Sequence, residues 1–112
     1  MSRALEDVKV LDLTQFISGP YCTKLLADQG ADVIKVEQPG IGDGARNMPP
    51  FFLDDPHPEK SIHYLYLNSN KRSITLNLRS DAGVAMLKKL AGWADVVVEN
   101  YAPGVLDEWG LG

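Results

Sequence analysis

The sequence predicts an α/β fold: an open parallel sheet of about four strands with flanking helices. Three observations predict it. Residues 8–13 and 31–37 are apolar, β-branched runs separated by an amphipathic stretch too long for a hairpin, so the strands they form must run parallel. Residues 95–99, DVVVE, repeat the pattern after a second amphipathic stretch. Between these units Ile74, Leu76 and Leu78 alternate with Thr75 and Asn77, which is the signature of one more strand.

The elements follow in order. Leu5 is placed to cover one end of the first strand, behind a solvated Glu6-Asp7. Gly19-Pro20 opens the first helix, since proline tolerates a first helical turn. Tyr21, Cys22, Leu25 and Leu26 are the expected buried stripe of that helix, and Gly30 its stop. On that reading Cys22 is a small core residue rather than a nucleophile. Residues 38–46 are too rich in glycine for regular structure, and the backbone there is expected to need positive φ. Their GxGxG spacing follows the second strand and opens no helix, so it does not match a dinucleotide fingerprint.

Pro49, Pro50, Pro56 and Pro58 exclude a regular helix or interior strand over residues 47–59, a surface excursion of the kind used as a lid or partner contact. His57 within it reads as exposed and inert. A short helix over 61–67 is expected to bury Ile62, Leu65 and Tyr66, with His63 and Tyr64 toward the rim. Ser80 caps the next helix with Asp81 against its dipole. Val84, Leu87, Leu90 and Ala91 form its buried stripe, and Gly92 ends it. The run 95–99 reads as a strand covered on both faces, and Val105 to Trp109 as a last short helix. Together these make a sheet of Rossmann type within one domain, residues 1–112.

Composition narrows the function. The chain has 112 residues, 45% of them hydrophobic, enough for a packed core. A net charge of −4 argues against nucleic-acid binding, which needs a basic face. No run suggests a membrane span and the N-terminus lacks a signal-peptide core, so a cytoplasmic protein is expected. A single cysteine excludes a cysteine-rich metal site, and no metal is expected.

In open parallel sheets ligands bind beyond the carboxyl ends of the strands. That rule selects residues 14–19, 37–39, Arg79 and 100–104. It favours Arg79 over Lys71 and Arg72, which precede their strand at the opposite edge. The backbone donors after Ser18-Gly19 face an anion-favouring helix start, weakened by Pro20. Glu37 and Glu99 each end a strand, and their expected state is solvated. No Ser-His-Asp or HExxH pattern is present.

Three blocks, LDLTQFISGPYCTKLLADQGADVIKVEQPGIGD, NKRSITLNL and ADVVVENYAPGVLDEWGLG, resemble the start of the type III coenzyme A transferases, the family of formyl-CoA and carnitinyl-CoA transferases to which α-methylacyl-CoA racemase is related. The resemblance spans nearly all of this chain but only the N-terminal part of a family member. It implies a Rossmann-like lobe carrying part of a CoA site, acyl-CoA and carboxylic acid substrates, and a full-length homodimer of interlocked subunits. It also implies a catalytic aspartate, beyond this segment, that carries the acyl group while CoA passes between acids. None of Asp81, Asp95 or Asp107 matches it.

Carried over position by position, the resemblance implies that Phe16, Ile17 and Ser18 lie beside the CoA thiol end. Gln38 then lies near the adenine, Leu76 and Arg79 along the nucleotide, and Asn100 and Tyr101 along the pantetheine. Ile17 stands where formyl-CoA transferases have a catalytic glutamine, which argues against a formyl or oxalyl substrate. Glu108 stands where they carry an arginine near the phosphates, which leaves that task to Arg79, Arg46 or residues outside the chain. Gln38 gives up a cation that would stack on adenine. Two other readings are a racemase of the same fold and a non-catalytic α/β module that pairs through a sheet edge or its proline-rich loop.

Overall fold

The computed structural model describes residues 4–40, 42–54, 57 and 59–101. Four strands, β1 (Lys9–Asp12), β2 (Asp32–Glu37), β3 (Arg72–Thr75) and β4 (Val96–Val98), form one sheet in the order β3-β2-β1-β4. Every pairing is parallel, with Val10 opposite Val33 and Val96, and Val36 opposite Ile74. Helices α1 (Ser18–Asp28), α2 (Ile62–Leu67) and α3 (Asp81–Trp93) supply the crossovers. The expected α/β class and parallel sheet are therefore present.

Alternation along the strands sends successive side chains to opposite faces. On one face Leu11, Leu13 and Val36 pack with Leu78, from the loop after β3, and with Leu87 of α3. On the other, Val10 and Val33 pack with Ala27 and Ala31, and Leu5 joins them as expected. The latter face changes character along the strands. Past Val10 and Val33 it carries Asp12, Lys35 and Glu37, each at most 5% exposed.

That change explains why α1 buries a different stripe from the one its apolar residues suggest. Pro20, Thr23 and Ala27 face the sheet, whereas Tyr21, Cys22 and Leu25 are exposed. The Thr23 hydroxyl donates to Asp12 Oδ2 at 2.7 Å, so a buried carboxylate below the helix selects a polar residue above it. Cys22 is consequently no core residue. α2 is rotated in the same way: Tyr64 and Leu67 are buried, and Ile62, Leu65 and Tyr66 are about half exposed. Tyr64, expected at the rim, is drawn inward by polar partners described below.

Strand β3 stops at Thr75, earlier than alternation suggests, although Leu76 still packs on the core. Ser80 caps α3 by accepting from the Gly83 N–H, with Asp81 in the first turn. Gly92 does not end α3, which runs through Trp93, and Ala91 is exposed. β4 lies at the sheet edge with Val96 and Val97 more than 40% exposed, so among the described residues it is not covered on both faces. The helix expected at Val105 to Trp109 lies outside the described residues.

A short 3₁₀ turn, Gly44–Asn47, ends the glycine-rich loop, and a second, Phe52–Asp54, lies in the proline-rich excursion. The excursion closes through an antiparallel bridge between Phe51 and Ser61, and His57 within it is exposed. Gly40 and Gly42 take positive φ of 81° and 72°, as the loop composition suggests.

Candidate functional site at the carboxyl ends of the strands

All four strands run in one direction, so their carboxyl ends share one rim. A cavity of about 240 Å³ opens there, with walls from the segments that follow all four strands. Leu13, Thr14 and Gln15 follow β1, and Gln38, Gly42 and Asp43 follow β2. Leu76, Asn77, Leu78 and Arg79 follow β3, and Tyr101 follows β4. The floor is apolar through Leu13, Val36, Leu76 and Leu78, and the rim is polar.

Local chemistry holds each wall. The Arg79 N–H donates to Asn77 Oδ1 at 3.0 Å and the Ser80 N–H to the Asn77 carbonyl at 3.1 Å, which folds residues 76–80 tightly beneath α3. The Asn77 carbonyl lies where a side chain at position 83 would begin, so only glycine fits there. Asn100 accepts from the Gln15 N–H at 3.2 Å and donates to the Gln15 carbonyl at 3.0 Å, tying the loop after β4 to the loop after β1. The Tyr101 N–H donates to Glu99 Oε2 at 2.8 Å. Burial pushes the Tyr101 phenol pKa above its ordinary value, and the negative charges of Glu99 and Asp12 add to that. The Arg79 guanidinium makes no ion pair among the described residues, so the cavity has a cation to offer.

Beneath the rim, on the α1 face, lies a largely buried group of three carboxylates and three cations, of which Glu37 and Asp43 also border the cavity. Asp12 lies 2.9 Å from the Lys71 ammonium and also accepts from Thr14 and Thr23. Lys35 is 2.7 Å from Asp43 and donates to the Thr14 carbonyl at 2.9 Å. Glu37 takes a two-point hydrogen bond from Arg46 at 2.8 and 2.9 Å, and further ones from Ser73 and the Asp43 N–H. The Arg46 guanidinium stacks on the Tyr64 ring at 3.8 Å and donates to its hydroxyl.

The electrostatics follow from this pairing. Burial works to raise the Asp12 pKa, yet Lys35, Lys71 and the hydrogen bonds hold it below the ordinary value. Burial likewise opposes ionisation of Glu37, and Arg46, the Asp43 N–H and Ser73 overcome it, bringing the pKa down to about 2. Tyr64 is pushed up to about 12 by burial and by Glu37. The Lys71 pKa is lowered by burial, which Asp12 only partly offsets.

These findings change three expectations. Glu37 is a buried ion-pair partner rather than a solvated strand end, because Arg46, from the loop after β2, and Tyr64, from α2, fold over it. Arg46, one of the cations offered for a phosphate, is engaged by Glu37, Glu59 and Tyr64. Lys71 begins at the opposite edge of the sheet, but its side chain threads under α1 to Asp12; Arg72 stays at that edge, paired with Asp32.

Of the residues singled out from sequence, Gln38, Leu76, Arg79 and Tyr101 line the cavity. Phe16, Ile17 and Ser18 stand next to it, beyond Gln15, and Asn100 braces Gln15 from outside. Phe16 has φ of 69°, a conformation that costs a side-chain-bearing residue about 1–3 kcal/mol. Its N–H donates to Asp43 Oδ1 at 2.8 Å, and its ring covers the Cα of Gly44 so closely that no Cβ would fit. The Gly44 N–H donates to Gln15 Oε1 at 3.2 Å. Among the described residues no cluster of three or more His, Cys, Asp or Glu is arranged to hold a metal, and no helix is long and apolar enough to cross a membrane.

A four-stranded parallel sheet with a polar-rimmed cavity at its strand ends defines a lobe of the open α/β class, in which that rim is the usual place for a ligand. The chain belongs to CoA-transferase family III, whose pattern matches residues 5–112. It is 50% identical over 111 residues to a formyl-CoA:oxalate CoA-transferase of Bradyrhizobium sp. (strain ORS 278), covering 99% of this chain and 25% of that protein. It is 47% identical over 110 residues to the succinyl-CoA:glutarate CoA-transferase of Mus musculus, covering 98% of this chain and 24% of that protein. Among solved structures, a CAIB/BAIF family protein from Brucella suis superposes with a TM-score of 0.87 at 41% identity, over all of this chain and 29% of that one. Rv3272 from M. tuberculosis superposes with a TM-score of 0.88 at 37% identity, over 99% and 30%. The chain thus spans about a quarter of the length of the curated relatives it matches.

Proposed function

We propose that this chain is the N-terminal, CoA-binding lobe of a type III acyl-CoA transferase, an enzyme that moves CoA from an acyl-CoA to a free carboxylic acid. One observation carries the reading: Gln38, Leu76, Arg79 and Tyr101, drawn from the loops after β2, β3 and β4, converge on one cavity. The apolar floor suits the carrier's non-polar surface, and Arg79 supplies positive charge for its phosphates.

In this reading Gln38 faces the adenine, Leu76 and Arg79 the nucleotide, and Asn100 and Tyr101 the pantetheine. Phe16, Ile17 and Ser18 meet the thiol end. The aspartate that carries the acyl group belongs to sequence outside this chain, so the lobe by itself binds but does not turn over. The working enzyme is a cytoplasmic homodimer without a metal. The named relatives use succinyl and formyl donors at nearly equal identity, so similarity leaves the acyl group unassigned. A transferase is favoured over a racemase because those relatives are named as transferases.

Calorimetric titration of CoA into the protein at the full length its gene encodes tests the proposal. Saturable binding that Arg79→Glu weakens is the expected result; a folded protein without CoA affinity overturns it.

A further inference from the structure

The loop after β1 and the loop after β2 are clasped to one another at three points. Asp43 Oδ1 accepts from the Phe16 N–H, Gln15 Oε1 accepts from the Gly44 N–H, and the Phe16 ring seats on Gly44. Asp43 is fully buried, and its second carboxylate oxygen is held by Lys35, whose own side chain is 1% exposed. The clasp is therefore anchored to the interior of the sheet rather than to a flexible surface. Gln15, Gly42 and Asp43 also line the cavity, so the clasp is part of its wall.

The energetic logic is specific to Phe16. Its left-handed backbone is unfavourable on its own and persists only where surrounding contacts enforce it. Two of those contacts come from Asp43 and Gly44. Releasing either allows residues 16–18 to relax, while the wall at 76–79 is held by Asn77, Ser80 and Gly83 and is untouched.

We propose that Asp43 and Gly44 are positioning residues, which hold Phe16, Ile17 and Ser18 in the conformation that receives the thiol end of the carrier. This rests on the CoA reading given above and deepens it: recognition is divided between a nucleotide wall after β3 and a separately clasped thiol wall after β1.

The test compares the affinities of CoA and of its bisphosphorylated adenosine fragment, which lacks the pantetheine arm, in the full-length protein. Gly44→Ala leaves every ion pair in place and should weaken CoA about tenfold while the fragment changes less than about twofold. Asp43→Ala should do the same. Asp43→Asn keeps an acceptor for the Phe16 N–H, so it should lose stability yet retain the preference for CoA, a separation that a purely structural role does not produce.

If Asp43→Ala does not fold, the comparison of Gly44→Ala with the unaltered protein decides. Equal loss for both ligands, or no loss for either, overturns this inference while leaving the CoA reading intact. If the unaltered protein binds neither ligand, the CoA reading fails and this inference fails with it.

Discussion

Lys35 and Asp43 meet at 2.7 Å with side chains 1% and 0% exposed, one from the middle of a strand and the other from the loop that follows it. A lone charge at either position would be strongly unfavourable, so each residue requires the other. The pair joins the sheet to the cavity wall, because the same carboxylate holds the backbone of Phe16 and of Ala45.

Removing one partner of this pair should be costly. Lys35→Met is expected to lower stability by about 3–5 kcal/mol, as for other buried ion pairs broken from one side. Adding Asp43→Asn should recover part of that loss, since the unpaired charge is gone while an acceptor oxygen remains for Phe16 and Ala45. Urea denaturation of the single and double variants checks the sign of the coupling.

The Glu37 carboxyl gives an acid dependence. Its pKa falls from an ordinary 4.5 to about 2 on folding, so its contribution is fully present above the unfolded value and is lost as pH drops through the folded one. The expected loss between those two values is about 3 kcal/mol, from the size of the shift. Denaturant midpoints measured down through this window should fall in the native protein. Glu37→Gln should start lower and flatten that part of the curve.

Tyr64 reports the same cluster from the alkaline side. Its phenol should ionise near 12, and the stability tied to it is present below the ordinary value of 10 and lost as pH rises through the folded value. Ultraviolet titration should show a tyrosine displaced to this value, a component that Tyr64→Phe removes. Glu37→Gln should bring that titration down, because one of the charges opposing the phenolate is removed.

Gly83 is tested by a single methyl group. Gly83→Ala drives a Cβ onto the Asn77 carbonyl and should cost about 1–3 kcal/mol despite the better helix propensity of alanine. Thermal melting measures the cost. The same shift should displace Leu76–Arg79 and weaken CoA, in contrast to a helix-surface change such as Ala85→Ser.

The sheet and its ligand edge were legible in the sequence because they depend on local pattern. β-branched runs at strand length, separated by helical stretches, define parallel order, and parallel order places Gln38, Arg79 and Tyr101 on one rim. Faces of helices were less legible. Tyr21, Cys22 and Leu25 form an apolar stripe, yet the sheet beneath α1 is polar at that point and takes Thr23 instead.

A signal for the charged group was present: Val10 and Asp12 share one face, as do Val33, Lys35 and Glu37, so two neighbouring strands carry charge at the same end of the same face. Arg46 and Tyr64 were beyond reach: Arg46 arrives from a glycine-rich loop without periodicity, and Tyr64 from a short helix whose apolar pattern points its other face inward.

A crystal structure of the full-length protein grown with CoA examines the main proposal most directly. Bound CoA is expected at the strand-end cavity, with its nucleotide against Leu76 and Arg79 and its thiol end reaching Phe16, Ile17 and Ser18. CoA bound on another face, with the space among Gln38, Arg79 and Tyr101 left to solvent, would contradict it.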